Sequence, residues 1–271
     1  MSNEHVKGTA LVTGASSGIG KVYADRLARR GYNLIIVARD KERLTALAAK
    51  LKAEAGVNVE VLPADLTAKA DLLKIEQRLR DDAAITLFLN NAGLGGNGPL
   101  AAADPDGIEK IVQLNVLAVA RLAAAAAHAF AARKSGTILN VGSVLGLAPE
   151  LFPGVYPATK AFVLTLTQGL QAELGQSGVR IQAVLPGATR TEIWERSGKD
   201  IESLPAAMVM EVDEMVDAAI TGFEQGELVT IPALPNAADW QALEAARRHL
   251  GPNLSRNSAA ERYKTAHAAA A

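Results

Sequence analysis

Short apolar runs alternate with longer amphipathic stretches over most of this 271-residue chain, and this alternation limits the folds that it can adopt. Apolar strands separated by helices are typical of a parallel sheet covered on both faces. Right-handed crossovers between such strands favour a doubly wound arrangement. The pattern therefore predicts an α/β, Rossmann-like fold: a doubly wound parallel sheet of about seven strands, with helices on both faces.

The elements of this prediction follow from the apolar spacing and from the Gly, Asp and Pro residues at its breaks. The predicted strands are Thr9–Thr13, Asn33–Ala38, Val57–Leu62, Ile85–Asn90, Gly136–Gly142, Val179–Leu185 and Glu227–Ile231. The predicted helices are Lys21–Arg30, Asp40–Ala55, Asp71–Arg80, Asp106–Arg133, Pro157–Leu174 and Val212–Gln225. No stretch resembles a linker or a repeat, so we expect a single domain over residues 1–271. Residues 232–271 lie outside the alternation and are predicted to form a C-terminal helical extension.

The composition excludes several classes of function. Lys and Arg number 28 against 29 Asp and Glu, so the chain has no electrostatic footprint for nucleic acid or an anionic membrane. The absence of cysteine excludes disulfides and thiolate catalysis and fits a cytoplasmic protein. The histidines show no metal-ligand spacing, so no metal site is expected. The most apolar stretch, Val116–Ala132, contains Arg121 and His128, which indicates a buried helix rather than a membrane span.

The first predicted strand runs directly into the glycine-rich turn Thr13-Gly14-Ala15-Ser16-Ser17-Gly18-Ile19-Gly20. Glycines allow a sharp turn and let the backbone approach a ligand closely. The helix that follows offers free N–H groups and the positive end of its dipole, which suit a pyrophosphate. The glycine spacing is neither G-x-G-x-x-G nor a P-loop.

This Thr-Gly-x-x-x-Gly-x-Gly turn resembles that of the short-chain dehydrogenase/reductases, in their shorter branch. Further motifs match in the expected order as far as about residue 192: Asn90-Asn91-Ala92-Gly93, Tyr156-x-x-x-Lys160 and Pro186-Gly187. The resemblance implies an enzyme that moves a hydride between a nicotinamide and a carbonyl/alcohol pair, with Asn115, Ser143, Tyr156 and Lys160 as catalytic residues. It implies cofactor contacts by Gly14, Ser16, Ser17, Gly18, Ile19, Gly20, Arg39, Asp65, Leu66, Asn91, Ala92, Gly93, Tyr156, Lys160, Pro186, Gly187, Thr189 and Thr191.

The chemistry of the Tyr-x-x-x-Lys pair supports this reading. An alkoxide formed by reduction needs a proton, and a free tyrosine with a pKa near 10 is a poor donor at neutral pH. Lys160 lies one helical turn after Tyr156, so its ammonium is expected to lower the pKa of the phenol. Ser143 can hydrogen-bond the substrate oxygen, and the resemblance implies that Asn115 helps to hold a water that links Lys160 to solvent. Taken alone, such a pair is more often a surface pair.

The end of the second strand predicts NADP(H) rather than NAD(H). A carboxylate there would bind the ribose diol and repel a 2′-phosphate, but the strand ends at Ala38 and is followed by Arg39. An arginine fork matches a 2′-phosphate. Asp40 is the alternative: if the strand end is off by one residue, Asp40 could face the ribose instead.

The substrate is expected to be a fairly apolar carbonyl or alcohol. The predicted substrate residues are Leu94, Leu145, Phe152, Val155, Ile193 and Trp194, and the segment from Ala188 to Met210 is predicted to form a mobile lid. Arg190 and Arg196 are possible anion contacts, although such residues are more often solvated.

Two questions of assembly and function remain open at the level of sequence. The alanine-rich stretch Leu117–Ala132 permits close helix packing, and family members commonly pair such helices, so a homodimer or homotetramer is expected. The alternative to an enzyme is a dinucleotide-bound sensor or scaffold without turnover, because fold alone does not determine function.

Overall fold

The structure is a computed structural model that describes residues 7–96 and 98–264. The chain divides into two compact units, Met1–Pro232 and Ala233–Ala271. The first unit contains all of the alternating pattern. The second contains the helix Ala237–His249, which begins with the Asn236 side chain accepting a hydrogen bond from the Ala238 N–H at 3.0 Å. That the second unit packs over the first stays a prediction.

The first unit is built on a seven-stranded parallel sheet, as the alternation predicted. The strands of this sheet are β1 (Thr9–Thr13), β2 (Asn33–Ala38), β3 (Val59–Pro63), β4 (Ile85–Asn90), β5 (Gly136–Val141), β6 (Val179–Val184) and β9 (Val229–Thr230). A separate two-stranded ribbon consists of β7 (Ala188–Thr189) and β8 (Val209–Met210). The strand order in the main sheet is β3-β2-β1-β4-β5-β6-β9. All of the observed pairs in it are parallel. The short ribbon was not predicted.

Helices cover both faces of the main sheet. They are α1 (Gly18–Arg29), α2 (Lys41–Ala55), α3 (Lys69–Asp81), α4 (Pro105–Val112), α5 (Val119–Arg133), α6 (Tyr156–Leu174), α7 (Ile193–Arg196) and α8 (Val212–Glu224), followed by α9 (Ala237–His249) in the second unit. Most bounds lie within two residues of the prediction. The start of α1 differs more, because the helix begins at Gly18, inside the glycine turn, and not at Lys21.

Alternation within the strands separates two apolar cores. In β1, Ala10 and Val12 point into the core that contains α1, α2 and α8, whereas Leu11 points into the core that contains α3, α5 and α6. This is the two-residue period of a strand buried on both faces. The strands are therefore held on both sides, and their carboxyl ends form a fixed platform for loops.

The prediction of one continuous α-helix over Asp106–Arg133 is wrong, because the α-helix is interrupted in its middle. A π-helical turn, Gln113–Ala118, separates α4 from α5 and carries the buried Asn115. Such turns insert one extra residue into a helix and are frequent at functional sites. Within the described residues, Pro105–Arg133 is also the one helical stretch long and apolar enough to cross a membrane, but half of its most apolar window is buried, and a core helix passes the same test.

The chain reverses its winding between β1 and β4, which are neighbours in the sheet although two strands separate them in sequence. Ligands of open α/β sheets bind in the crevice outside the carboxyl ends of the strands at such a switch point. The glycine turn after β1 and Asn91 after β4 both lie there. The topology therefore gathers the sequence motifs at one edge of the sheet.

Candidate active site

A cleft of about 1350 Å³ opens at the carboxyl edge of the sheet. Most of the residues predicted from sequence line it: Gly14, Ser16, Ser17, Gly18, Ile19, Arg39, Asp65, Leu66, Asn91, Ala92, Gly93, Leu94, Ser143, Leu145, Phe152, Tyr156, Lys160, Pro186, Gly187, Thr189, Thr191, Ile193 and Trp194. Three predicted residues do not line the cleft. Gly20 and Asn115 are buried beneath it, and Val155, predicted to contact substrate, lies behind Tyr156 at the start of α6.

The glycine turn leaves the start of α1 open to the cleft. Gly14 and Gly18 have φ angles of +67° and +50°, a region that favours glycine. The residue before α1 is Ser17, whose side chain makes no capping hydrogen bond. The N–H groups of the first turn of α1 thus keep their hydrogen-bonding capacity and face the cleft with the positive end of the helix dipole.

Thr13 and Asn91 fix the turn to the loop after β4. The Thr13 hydroxyl donates to the Leu89 carbonyl at 3.1 Å and accepts from the backbone N–H groups of Asn91 and Ala92 at 2.9 and 3.1 Å. The Asn91 amide donates to the Thr13 carbonyl at 2.8 Å. These bonds hold two adjacent loops in register, so the floor of the cleft is rigid.

Asn115 uses its side chain to tie the π-helical turn to the rest of the cleft. Its Oδ1 accepts from the Leu94 N–H at 2.8 Å, and its Nδ2 donates to the Leu94 carbonyl at 2.9 Å and to the Thr159 hydroxyl at 3.2 Å. Both amide hydrogens are therefore committed to protein atoms. The observed role of the side chain is to position the loop after β4 against α6, and its expected part in holding a water stays a prediction.

Ser143, Tyr156 and Lys160 meet on one wall of the cleft. Tyr156 is the first residue of α6, with Pro157 next to it, where a proline is tolerated because that N–H has no helical acceptor. The Ser143 hydroxyl hydrogen-bonds the Tyr156 phenol. The Lys160 ammonium lies 5.6 Å from the centre of the Tyr156 ring and donates to the Val141 carbonyl at 3.0 Å.

Burial, rather than the lysine, dominates the ionisation of this wall. Burial raises the pKa of Tyr156 to about 12, and the hydrogen bond from Ser143 acts in the opposite direction. The expected lowering of the Tyr156 pKa by Lys160 is not seen. Burial also lowers the pKa of Lys160 to about 8. Burial thus favours the uncharged form of both side chains.

Replacing Lys160 with methionine is expected to stabilise the cofactor-free protein at pH 7. A lysine whose pKa is about 8 in the folded protein, against an ordinary pKa of 10.5, costs stability while it is protonated in both the folded and the unfolded state, and this cost disappears as pH rises from 8 to 10.5. Part of the gain is offset because the Val141 carbonyl loses its donor. We expect Lys160→Met to raise the free energy of unfolding by about 1–3 kcal/mol at pH 7, measured by urea unfolding.

The matched control is Lys74→Met on the exposed face of α3, where the side chain is 69% exposed. This change should leave the free energy of unfolding nearly unaltered at pH 7 and pH 10. The advantage of Lys160→Met should shrink toward zero at pH 10. A Lys160→Met protein that is less stable than the parent at pH 7 contradicts the assignment of a buried, costly charge.

The far end of the cleft carries both arginines and carboxylates. β2 ends at Ala38, and Arg39 lines the cleft beside it. Asp40, the alternative ribose ligand, also lines the cleft, and its side chain caps α2 by accepting from the Arg43 N–H at 3.0 Å. Arg43 also lines the cleft, and its guanidinium pairs with Glu192 of the lid at 2.6 Å. Two arginines therefore occupy the position that a single arginine was predicted to hold.

Asp65 lies at the same end, after β3. Its carboxylate accepts from the Thr67 N–H at 3.0 Å and from the Thr67 hydroxyl at 2.7 Å. Partial burial raises the pKa of Asp65, but the bonds from Thr67 and the charge of Arg39 together hold it below its usual value. Asp65 is thus an ionised hydrogen-bond acceptor on the edge of the cleft.

The lid is the segment from Ala188 to Met210, and the ribbon of β7 and β8 closes its base. The Trp194 indole donates to the Thr189 carbonyl at 2.9 Å. Arg190 and Arg196, the possible anion contacts, are engaged by carboxylates: Arg190 by Glu202 and Glu211, and Arg196 by Glu192 at 2.6 Å. Neither is available as a free cation.

Among the charged residues that line this cleft, sequence reasoning missed Arg43, Lys110, Glu192, Lys199 and Asp200. Arg43 follows Arg39 by one helical turn, a spacing that could have indicated a second cation at the same end. Glu192 and Lys199 carry no local signal, because their positions depend on how the lid folds over the cleft.

Comparison with known proteins agrees with this geometry. The sequence profile of the short chain dehydrogenase family matches residues 8–202. A structure of a short-chain dehydrogenase from Sphingobium yanoikuyae in complex with NADPH is 55% identical, with a TM-score of 0.92, and covers 95% of this chain and 100% of that chain. A bulky-bulky ketone specific alcohol dehydrogenase from Comamonas testosteroni is 49% identical, with a TM-score of 0.88 over 96% of this chain and 100% of that chain.

Curated relatives are more distant. A very-long-chain 3-oxoacyl-CoA reductase from Anas platyrhynchos is 32% identical over 188 residues, which are 68% of this chain and 60% of that protein. The chain thus spans about three-fifths of the length of such relatives. The residues that match the family profile, 8–202, include the glycine turn and the wall of Ser143, Tyr156 and Lys160.

Proposed function

The chain belongs to the short-chain dehydrogenase family of oxidoreductases, and we propose that it is an NADP(H)-dependent enzyme that interconverts a ketone and its alcohol with Tyr156 as general acid/base. The single observation that carries this proposal is the convergence of Ser143, Tyr156 and Lys160 on one cleft wall. A sensor or scaffold has no need of that arrangement. No feature of the described residues favours the non-catalytic alternative.

The residues of the cleft fit a dinucleotide. The uncapped start of α1, with Gly14 and Gly18 in the turn before it, offers backbone N–H groups to a pyrophosphate. The space around these two glycines is tight. A Cβ atom at Gly14 would lie 2.7 Å from the Asn91 amide nitrogen, and a Cβ atom at Gly18 would lie 3.1 Å from Thr191. A side chain at either position would crowd the floor on which the pyrophosphate rests. Bound NADP(H) would supply or accept the hydride beside Tyr156.

The chain's own residues handle the proton. Ser143 holds the substrate oxygen and the Tyr156 phenol by hydrogen bonds, which aligns the phenol with the developing alkoxide. Tyr156 then gives up its proton. The Lys160 ammonium, 5.6 Å from the centre of the Tyr156 ring, stabilises the phenolate by its positive charge. Asn115 keeps the loop after β4 and the Thr159 turn of α6 in place, which fixes Tyr156 and Lys160 against the cleft.

Arg39 and Arg43 support NADP(H) over NAD(H). Both line the adenosine end of the cleft; Asp40 lines it too, but its carboxylate is engaged in capping α2. A planar guanidinium fork binds a phosphate through two parallel hydrogen bonds. The NADPH complex of the Sphingobium relative is consistent with this preference.

The substrate proposed is a ketone with bulky, largely apolar substituents. Leu94, Leu145, Phe152 and Trp194 line the cleft beside Tyr156, and lid residues such as Met208 add to that apolar surface. The cleft volume of about 1350 Å³ leaves room for more than a small ketone next to a dinucleotide. The name of the Comamonas relative supports the same substrate class.

The test is the oxidation of NADPH, followed by absorbance, by the purified protein with a panel of ketones, aldehydes and 3-oxoacyl thioesters, and with NADH in parallel. We expect turnover of bulky ketones and faster turnover with NADPH than with NADH. Tight NADPH binding without turnover across the whole panel contradicts the proposal and favours the binding-protein alternative.

Assembly and compartment are further parts of this proposal. Val112 and Leu117, on the outer face of the α4–α5 segment, are 36% and 49% exposed. Exposed apolar side chains beside an alanine-rich helix favour a homodimer formed through this face, or a homotetramer. Light scattering of the purified protein decides between these states. The lack of cysteine supports a cytoplasmic location.

A further inference from the structure

Lys199 places an ammonium group in the substrate end of the cleft without a counterion. Its Nζ lies 3.2 Å from the centre of the Phe152 ring. Over residues 7–96 and 98–264, this ammonium makes no ion pair and no hydrogen bond. Burial lowers the pKa of Lys199 below its usual value. The cation is thus partly removed from water and has only an aromatic face as a partner.

The other cations of the lid are neutralised. Arg190 pairs with Glu202 and Glu211, and Arg196 pairs with Glu192. A carboxylate that adjoins Lys199 in sequence, Asp200, is used to cap the turn Ile201–Ser203 and accepts from the Glu202 N–H at 2.9 Å. Lys199 is therefore the cation that the lid's own carboxylates leave uncompensated.

A structural role explains this arrangement poorly. A partly desolvated charge costs free energy unless it is paired, and a cation–π contact offsets only part of that cost. An apolar residue over Phe152 would pack there at lower cost. An anion that enters the cleft would pair with the Lys199 ammonium and compensate its charge.

The position of Lys199 connects it to the reacting centre. Its partner Phe152 packs against Tyr156, with ring centres 5.7 Å apart and a tilt of 53°. Both rings and the Lys199 side chain line the same cleft. A substituent on the carbonyl held at Tyr156 can run along Phe152 and end at the Lys199 ammonium.

We propose that Lys199 binds a carboxylate on the substrate, so that the preferred ketone has an apolar body and an anionic end on the substituent that lies against Phe152. This inference rests on the proposed function, and it names the substrate class of the same site. It refines the expectation of a fairly apolar substrate, because the apolar lining ends at a charge.

The experiment compares benzoylpropionate with its methyl ester, a pair that differs in charge but has nearly the same shape. Ratios of kcat/KM for acid and ester are measured with NADPH for the parent protein, for Lys199→Met and for the matched control Lys74→Met. Calorimetric titration of the NADP⁺-loaded protein with each compound gives binding without turnover. We expect the parent to prefer the acid, Lys199→Met to lose that preference by about tenfold or more, and Lys74→Met to behave as the parent.

The outcomes separate the two proposals. Acid-selective binding that Lys199→Met abolishes supports the inference even if no NADPH is consumed, in which case only the proposed reaction fails. Equal binding of acid and ester by the parent overturns the inference, whether or not both are reduced. An acid preference that persists in Lys199→Met also overturns it, because another group must then hold the carboxylate.

Discussion

Replacing Tyr156 with phenylalanine is expected to lower kcat for ketone reduction by about 10²–10⁴-fold while leaving the Kd for NADPH nearly unchanged. The change removes only the hydroxyl that Ser143 hydrogen-bonds. The aromatic ring keeps its packing against Phe152. Initial rates of NADPH oxidation measure kcat, and the quenching of protein fluorescence by NADPH measures the Kd.

The expectation follows from where Tyr156 stands. The start of α6 presents the phenol to the cleft, and burial makes it a protonated group at neutral pH. In the reduction of a ketone that proton goes to the alkoxide, and without it water must supply the proton in a cleft that restricts water. On the proposed binding mode, the dinucleotide would be held mainly by the glycine turn and by the arginines at the other end, which the substitution leaves intact.

Tyr263→Phe is the matched control, since that tyrosine is 66% exposed in the second unit of the chain. It should change neither kcat nor Kd. A Tyr156→Phe protein that keeps most of its rate shows that another group is the proton donor. A protein that loses NADPH affinity by the same factor as kcat shows that Tyr156 acts through the shape of the cleft and not as an acid.

Arg39→Asp is expected to weaken NADPH binding by about 100-fold or more and NADH binding by little. On the proposed assignment, the substitution would remove a charge-assisted contact to the 2′-phosphate and place a carboxylate where that phosphate would lie. NADH offers a ribose diol there, which a carboxylate can accept. Titrations with NADPH and NADH, monitored by fluorescence, give the two Kd values.

Arg80→Asp is the control for the change in net charge, because Arg80 lies on the exposed side of α3 and does not line the cleft. It should leave both affinities as they are. Equal weakening of NADPH and NADH by Arg39→Asp contradicts the assignment of Arg39 to the 2′-phosphate. In that case the second arginine of this end, Arg43, becomes the candidate.

Several site features were predictable from sequence because they are local. The end of β2 at Ala38 was located to the residue, since a run of apolar residues gives way to Arg39 and Asp40 at once. Tyr156 and Lys160 lie on one face of α6 because four residues make about one helical turn. The start of α1 was predicted three residues too late, because Gly18 and Gly20 are residues typical of a turn although the helix already begins at Gly18.

Tertiary structure decided what depends on distant parts of the chain. Arg43 and Glu192 are 149 residues apart in sequence, and only the fold of the lid brings their charges together. The π-helical turn at Asn115 interrupts a stretch whose composition predicts an unbroken helix. Its side chain finds partners in Leu94 and Thr159, which come from other elements.

The sequence by itself determined the sheet, its strand–helix alternation, the glycine turn and the spacing that places Tyr156 and Lys160 one helical turn apart, because periodicity and short spacings encode them. Only the tertiary structure decided the charges of the cleft. Burial, which no local pattern reveals, raises the pKa of Tyr156 and lowers that of Lys160. The pairing of Arg190 with Glu202 and Glu211, and the lack of such a partner for Lys199 among the described residues, likewise depend on how the lid folds.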